Sequence, residues 1–307
     1  MGASRPRFVH ILRAVQGLIG IVGGTGLYDL EGLTDQQWRR IDSPFGAPSD
    51  ELLFGTLGTH RVVFLPRHGR GHRIPPHEIN FRANIDVLKR AGATCLVSLS
   101  AVGSLSPELE PGTFVLVDQF IDRTIRPHKT FFTTGCVAHV SMAHPTCGRL
   151  HDALAASGTD LGLPLVRGGT YVAMEGPQFS SLAESELHRG MKATVVGMTN
   201  MPEAKLAREA ELCYATVAMV TDFDCWHPDH DHVRVEDVVR VLVHNSGIAR
   251  ALVAAVIPRL GALEGPCPHG CDRALDNAIL TAASARDPEL VARLGAVAGR
   301  VLGKPPA

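Results

Sequence analysis

The strongest constraint in this chain is an alternation: short apolar runs rich in β-branched residues are separated by stretches whose apolar residues recur at helical spacing. Leu18 to Val22, Arg61 to Leu65, Cys95 to Ser100, Thr113 to Val117, Thr194 to Gly197 and Tyr214 to Thr221 read as strands. His77 to Ala91, Thr146 to Ser157, Ser180 to Arg189 and Pro202 to Glu211 read as helices. Strands interleaved with helices predict an α/β fold, because each helix can cover the face of the sheet it crosses. Val238, Leu242, Ile248, Leu252 and Val256 recur along Val235 to Leu260 and predict one long helix over that sheet. Gly261 to Gly270, with Pro266 and Pro268, ends it, and a final Ala- and Leu-rich helical segment follows. The expectation is one domain over residues 15–262 and a C-terminal helical extension at 263–307, the latter too short to carry a core alone.

Charge narrows the partners. Thirty basic residues against 31 acidic leave a formal net charge of −1, so no global field draws the chain to nucleic acid or to an anionic membrane, and any anion site must be local. No apolar run reaches the roughly 20 residues of a membrane span; the longest candidate, Gly17 to Val22, is strand-sized. The first 28 residues hold Arg5, Arg7 and Arg13 without an acid, which reads as a basic terminus ahead of the first strand rather than a targeting segment. Seven cysteines, an odd number scattered through apolar segments, suit reduced thiols and predict a cytoplasmic enzyme.

Three candidate anion motifs sit where strands end. Gly20-Ile-Val-Gly23-Gly24-Thr25-Gly26 lets backbone N–H groups approach an anion with no Cβ in the way. A dinucleotide site would need a helix directly after these glycines, whereas Tyr28 to Thr34 running into Asp42-Ser-Pro-Phe-Gly46 reads as loop, which argues against a nicotinamide cofactor. Pro66-Arg67-His68-Gly69 and Ser100-Ala101-Val102-Gly103-Ser104 each follow a strand. Arg67 offers a planar fork for phosphate, and Thr25 and Ser100 offer hydroxyls; Arg67 and His68 read singly would equally suit a surface turn. The strand at Met219 to Thr221 terminates in Asp222-Phe223-Asp224, and alternation along an extended chain points both carboxylates the same way. A helix-capping role for the pair stays open at this point.

Longer runs carry a resemblance: GGTGL at Gly23 to Leu27, PRHGR at Pro66 to Arg70, SAVGSL at Ser100 to Leu105, DQFIDRT at Asp118 to Thr124, MEGPQFSSLAES at Met174 to Ser185, and GMTNMPEAKLAREAELCYATVAMVTDFDCW at Gly197 to Trp226. In unbroken order over about Ile19 to Leu260, they resemble the methylthioadenosine-cleaving branch of the trimeric purine nucleoside phosphorylase family. The resemblance implies a single domain with a central mixed β-sheet flanked by helices, inorganic phosphate as co-substrate, no cofactor, no metal, a small-molecule nucleoside substrate and a homotrimer. It implies that phosphate is held by Thr25, Arg67, His68, Ser100, the backbone of Ala101 and Thr199. Ribose would lie near Met198, the base against Phe179 and beside Asp222, Phe223 and Asp224. Ser180, Val235 and Val238 would set specificity, and His139 would reach the thioether pocket of a neighbouring subunit. Ser100 stands where many relatives have Thr, which keeps the hydroxyl.

The chemistry of the residues agrees. Phosphorolysis passes through a ribosyl cation-like state, and adenine departs more easily when N7 is protonated. A carboxyl group can donate that proton only if burial raises its pKa, and a second carboxylate two positions away pushes the same way, which singles out Asp222 as general acid. The 6-amino group of adenine suits a carboxylate acceptor, whereas a 6-oxopurine or methylthioinosine-type substrate, the alternative reading, would prefer an Asn amide. Val235 and Val238 favour a methylthio group over a hydroxyl, although helix packing explains them equally well. A hydrolytic nucleosidase has no use for phosphate-directed loops, and a non-catalytic binder would have to rest on His227-Pro-Asp-His230-Asp-His232. That stretch and Cys267-Pro-His269-Gly-Cys271 lack paired CxxC or HExxH spacing and are set aside as metal sites; a disulfide between the two cysteines stays open.

Overall fold

The computed structural model describes residues 17–24, 30–228 and 235–303. Its axis is a 12-residue strand, β5 (Ala93–Ser104), which runs parallel to β1 (Leu18–Gly23) on one side and to β11 (Cys213–Asp222) on the other. β4 (His60–Pro66) lies parallel beyond β1, and the far end of β5 pairs antiparallel with β10 (Val195–Gly197). β11 also pairs antiparallel with β6 (Phe114–Val117), so the 11-stranded sheet is mixed and divides around β5. Short strands β7 (Gln119–Asp122), β8 (Leu165–Arg167) and β9 (Thr170–Ala173) complete its margins.

The central strands are apolar on both faces because helices cover both. Leu18, Val22, Leu96 and Val220 join one core, while Ile19, Ile21, Val97 and Val217, their alternates along the same strands, join the other. The first core lies under α1 (Phe81–Arg90), α4 (Asn200–Glu209) and α7 (Gly295–Leu302), the second under α2 (Gly148–Asp160) and α5 (Val235–Gly261). α3 (Leu182–Gly190) starts in a capping box, Ser181 Oγ accepting the Glu184 N–H at 3.3 Å and Glu184 Oε2 accepting the Ser181 N–H at 2.8 Å.

Two expectations change. The stretch after the glycine turn is not all loop: β2 (Leu33–Arg39) pairs antiparallel with β3 (Leu52–Leu57) at the edge of the sheet. Most of the β2 side chains are exposed and Asp35 takes φ 52, so no apolar alternation marks the strand. A turn and a strand, rather than a helix, still follow from Leu30. Second, Val238–Gly261 within α5 is long and apolar enough to cross a membrane by length and composition. Ala249, Leu252, Val253, Val256, Ile257 and Leu260 sit in the second core, whereas Val239 and Val243, nearer its start, are 48% and 68% exposed. The C-terminal extension, as its length requires, shares the cores of the domain. Leu275, Leu290, α6 (Pro288–Arg293), Leu294 and Val297 bring it into the first core, and Cys267 and Cys271 into the second. Glu211, just after α4, accepts from Arg300 through both carboxylate oxygens at 2.6 and 2.8 Å and from the Leu275 N–H at 2.9 Å. Each fully buried leucine contributes about 1.5–3 kcal/mol to that attachment.

Candidate active site

The parallel strands β1, β4, β5 and β11 end on the same edge of the sheet, where open α/β sheets bind ligands. There Gly24, Arg67, Ser100 and Asp222 line one cavity of about 580 Å³. One end of it gathers donors for an anion and the other a pair of carboxylates.

At the anion end, Ser100 Oγ lies 3.1 Å from Thr199 Oγ1 and 3.3 Å from the hydroxyl of Tyr171, which is fully buried. The Tyr171 hydroxyl also accepts the Thr199 N–H at 3.3 Å, so two hydroxyls and a backbone segment share one anchor. Ala101, His68, His72 and Arg73 also line the cavity. Burial pushes His68 down to about 4, so the ring is neutral at neutral pH. Its Nδ1 lies 2.9 Å from the Ile74 carbonyl and therefore carries the proton, which leaves Nε2 an acceptor.

Arg67 departs from expectation. It is 2% exposed, and its fork grips Glu203 rather than facing the cavity: Nε donates to Oε2 at 2.8 Å and Nη2 to Oε1 at 3.1 Å. Nη2 also donates to Ser98 Oγ at 2.6 Å and Nη1 to the Leu99 carbonyl at 2.8 Å, which leaves one of the five guanidinium N–H groups. Burial opposes the charge, but Glu203 outweighs it and holds the pKa above the ordinary arginine value. Glu203 Oε1 further accepts from Ser98 Oγ at 2.6 Å and Tyr214 at 3.0 Å. Arg67 thus supplies a fixed positive field and a single donor, not a bidentate grip.

At the other end Asp222 and Asp224 both line the cavity, though not by strand alternation. Asp224 has left the extended conformation at φ 53, and its N–H turns back to donate to Asp222 Oδ1 at 2.8 Å. Gly103 makes room for the pair: a Cβ there would lie 2.9 Å from Asp222 Oδ1 and 3.3 Å from the Asp224 Cβ. Burial raises the Asp222 pKa above the ordinary carboxylate value; hydrogen bonds from Thr221 and from the Asp224 N–H pull it back, and the Asp224 charge adds to the rise. The Thr221 hydroxyl has one proton and two acceptors in reach, Asp222 Oδ2 at 2.7 Å and the Val102 carbonyl at 3.1 Å. Donating to Val102 leaves Oδ2 free to keep a proton of its own. Asp224 is 6% exposed and its Oδ2 has no hydrogen-bond partner among the described residues.

Between the two ends the wall is apolar. Met198 and Val238 line it, and Phe179, 44% exposed, stands on its rim. The Met198 carbonyl is held by Arg126 Nη2 at 2.7 Å. Several expected residues lie elsewhere. Phe223 is buried against Trp226 and His227, with ring centroids 6.0 and 4.7 Å away, and does not line the cavity. Ser180 donates to Met174 Sδ at 3.6 Å and also falls outside the lining. His139 is exposed and does not line the cavity. Thr25, His230 and His232 lie outside the described residues, as does the side chain of Val235.

Glu203 and Tyr171 were not legible as site residues, since one reads as a helix acid and the other as a strand aromatic. Val239 and Leu242 also line the cavity; Leu242 had a trace in the sequence, one turn beyond Val238 on the same helix face. The fold further gathers Cys147, Cys213, Cys267 and Cys271 into one buried cluster, so Cys267 and Cys271 meet thiols from distant parts of the chain that local spacing does not reveal. All seven cysteines are free, so no Cys267–Cys271 disulfide is formed.

A family model described as the phosphorylase superfamily matches residues 18–258, and the chain belongs to that superfamily. Among its relatives, the S-methyl-5'-thioadenosine phosphorylase of Bradyrhizobium diazoefficiens is 60% identical over 287 residues, covering 94% of this chain and 99% of the relative. The enzyme of the same name from Rhodospirillum rubrum is 58% identical over 94% of this chain and 98% of its own length. A crystal structure of a methylthioadenosine phosphorylase from an Antarctic soil metagenomic library superposes with TM-score 0.86 at 43% identity, covering 91% of this chain and 98% of that one.

Proposed function

We propose that the chain cleaves S-methyl-5'-thioadenosine with inorganic phosphate, releasing adenine and 5-methylthioribose 1-phosphate. The observation that carries this reading is the pairing at Asp222 and Asp224 of a carboxyl group whose pKa is raised with a buried carboxylate oxygen that has no donor among the described residues. Adenine presents the complement: N7 takes a proton and the 6-amino group gives a hydrogen bond. Two of the relatives above carry this activity in their names.

In this reaction the C1′–N9 bond breaks with its electron pair moving onto the purine, Asp222 delivers a proton to N7, and a phosphate oxygen forms the new bond to C1′. Ser100, Thr199 and the remaining Arg67 N–H hold the phosphate, while neutral His68 accepts a hydrogen bond from its O–H. Phe179 covers the base, and the apolar wall at Met198, Val238 and Leu242 receives the ribose and its methylthio group. Phosphate is the co-substrate, and the step calls on no organic cofactor or metal in the cavity.

The working form is a homotrimer in which His139 lines a neighbour's thioether pocket. In support, Val137 and Leu280, 40% and 67% exposed, are joined by the Leu280 N–H to Val137 carbonyl bond and form an apolar patch close to His139. Seven unpaired thiols suit the reducing cytoplasm.

The test is to incubate the protein with methylthioadenosine and, separately, methylthioinosine, each with and without phosphate. Phosphate-dependent adenine release is the expected result. Adenine release that ignores phosphate indicates hydrolysis, faster release of hypoxanthine indicates a 6-oxopurine enzyme, and no release at all overturns the reading.

A further inference from the structure

Away from the cavity, the most unusual chemical grouping is sulfur. Cys147 precedes α2, Cys213 opens β11, and Cys267 and Cys271 flank a turn beyond α5. The four Sγ atoms lie within 4.8 Å of one another and all four residues are buried. The Cys147 and Cys267 sulfurs are 3.6 Å apart. A tetrahedral ion with metal–sulfur bonds of about 2.3 Å needs sulfur–sulfur edges of about 3.8 Å, far longer than the roughly 2.05 Å of a disulfide. Two disulfides would also not require each sulfur to stay close to the other three. We propose that Cys147, Cys213, Cys267 and Cys271 form a structural tetrathiolate site for a thiophilic, tetrahedral divalent cation, zinc, clamping the C-terminal extension to the sheet.

The surroundings are built for such a site. Cys267-Pro-His-Gly-Cys271 falls within the spacing of paired ligands in structural zinc sites. Gly270 takes φ 67 and returns its N–H to the Cys267 carbonyl at 2.9 Å, closing the turn between the two ligands. That turn presses on the start of α2, where a Cβ at Gly148 would meet the His269 ring at 2.7 Å. Cys147 occupies the N-cap of a 13-residue helix but makes no side-chain capping bond, so its sulfur is turned to the cluster, 3.6 Å from Cys267 Sγ, rather than committed to the helix. Arg149 Nη2 donates to Cys213 Sγ at 3.5 Å. Four thiolates and a divalent ion leave two negative charges, one of which the Arg149 guanidinium offsets.

Binding is proton-balanced and involves no redox change: four thiols release four protons as four metal–sulfur bonds form. Asp222 lies nine residues along β11 from Cys213, about 30 Å in an extended strand, so the site holds the fold together without touching substrate. The inference is independent of the proposed reaction.

The test is elemental analysis of the full-length protein purified without chelator, with cobalt(II) as a spectroscopic probe. About one zinc per chain is expected, as is a tetrahedral thiolate–cobalt spectrum after exchange. Cys271→Ser should lose the spectrum, and Cys225→Ser, half-buried and outside the cluster, should keep it. Alkylation of wild-type protein denatured with chelator but no reductant should modify all seven cysteines. A folded wild-type chain that holds no metal and fails to take up zinc, or one with only three alkylatable cysteines, overturns the proposal whether or not the variants fold.

Discussion

Glu203→Gln tests whether the Arg67 charge is balanced from within. Both side chains are nearly inaccessible, 2% for Arg67 and 3% for Glu203, so solvent cannot take over when the carboxylate is lost. The amide keeps the shape but faces an Arg67 N–H with a donor and leaves a buried cation without its counter-charge, a change that costs about 3–5 kcal/mol. At about 2–4 °C per kcal/mol for a large domain, thermal unfolding should move down by about 6–20 °C. Arg67 lines the anion end of the cavity, so in the variant phosphate becomes its nearest counter-charge. Scanning calorimetry across a phosphate series should therefore show a larger stabilising increment in the variant than in wild type. A melting temperature within experimental error of wild type, or an increment no larger than wild type's, refutes the argument.

Asp222→Asn should lower kcat by about 10²–10⁴-fold with little change in the KM for phosphate, since it removes a proton donated only in the transition state; steady-state kinetics that leave kcat unchanged would remove Asp222 from the chemistry. Because the Asp222 pKa is raised, its acid form persists above the ordinary carboxylate range and is lost as pH rises through the folded value. Activity should therefore fall with rising pH on a limb that is absent from the Asn variant. Stability follows the same sign: the native state holds the proton more tightly than the unfolded chain, so this group's contribution declines as pH climbs from the unfolded to the folded value. Asp224→Asn should shift the kcat/KM ratio toward methylthioinosine by about tenfold or more per changed contact, and an unaltered ratio would dissociate Asp224 from base selection. Leu294→Ala, at a fully buried position in the C-terminal extension, should cost about 2–5 kcal/mol in urea unfolding; a loss below about 0.5 kcal/mol would mean the extension is peripheral after all.

The central strands were legible because burial on both faces leaves their composition little freedom: Tyr214 to Thr221 is apolar or small at nearly every position, and its end at Asp222 stands out as a polar interruption. β2 was invisible for the opposite reason. It lies at an edge with polar side chains exposed, and the register shift between Thr34 and Gln37 breaks even the period of two. Long-range partnerships were the hardest to read. Nothing near Glu203 in sequence distinguishes it from a solvated helix acid; Arg67, 136 residues away, and Ser98, 105 away, give it a role. The four thiols likewise converge from three separated segments, and no local spacing rule unites them. The direction of the Asp222 and Asp224 side chains was anticipated while the backbone that achieves it was not.

That backbone has an evolutionary corollary. A left-handed conformation is tolerated most readily by Gly, Asn and Asp, and Asn is also the residue whose amide would welcome an oxo group. One nucleotide-level step at codon 224 could therefore redirect base preference with the loop geometry intact.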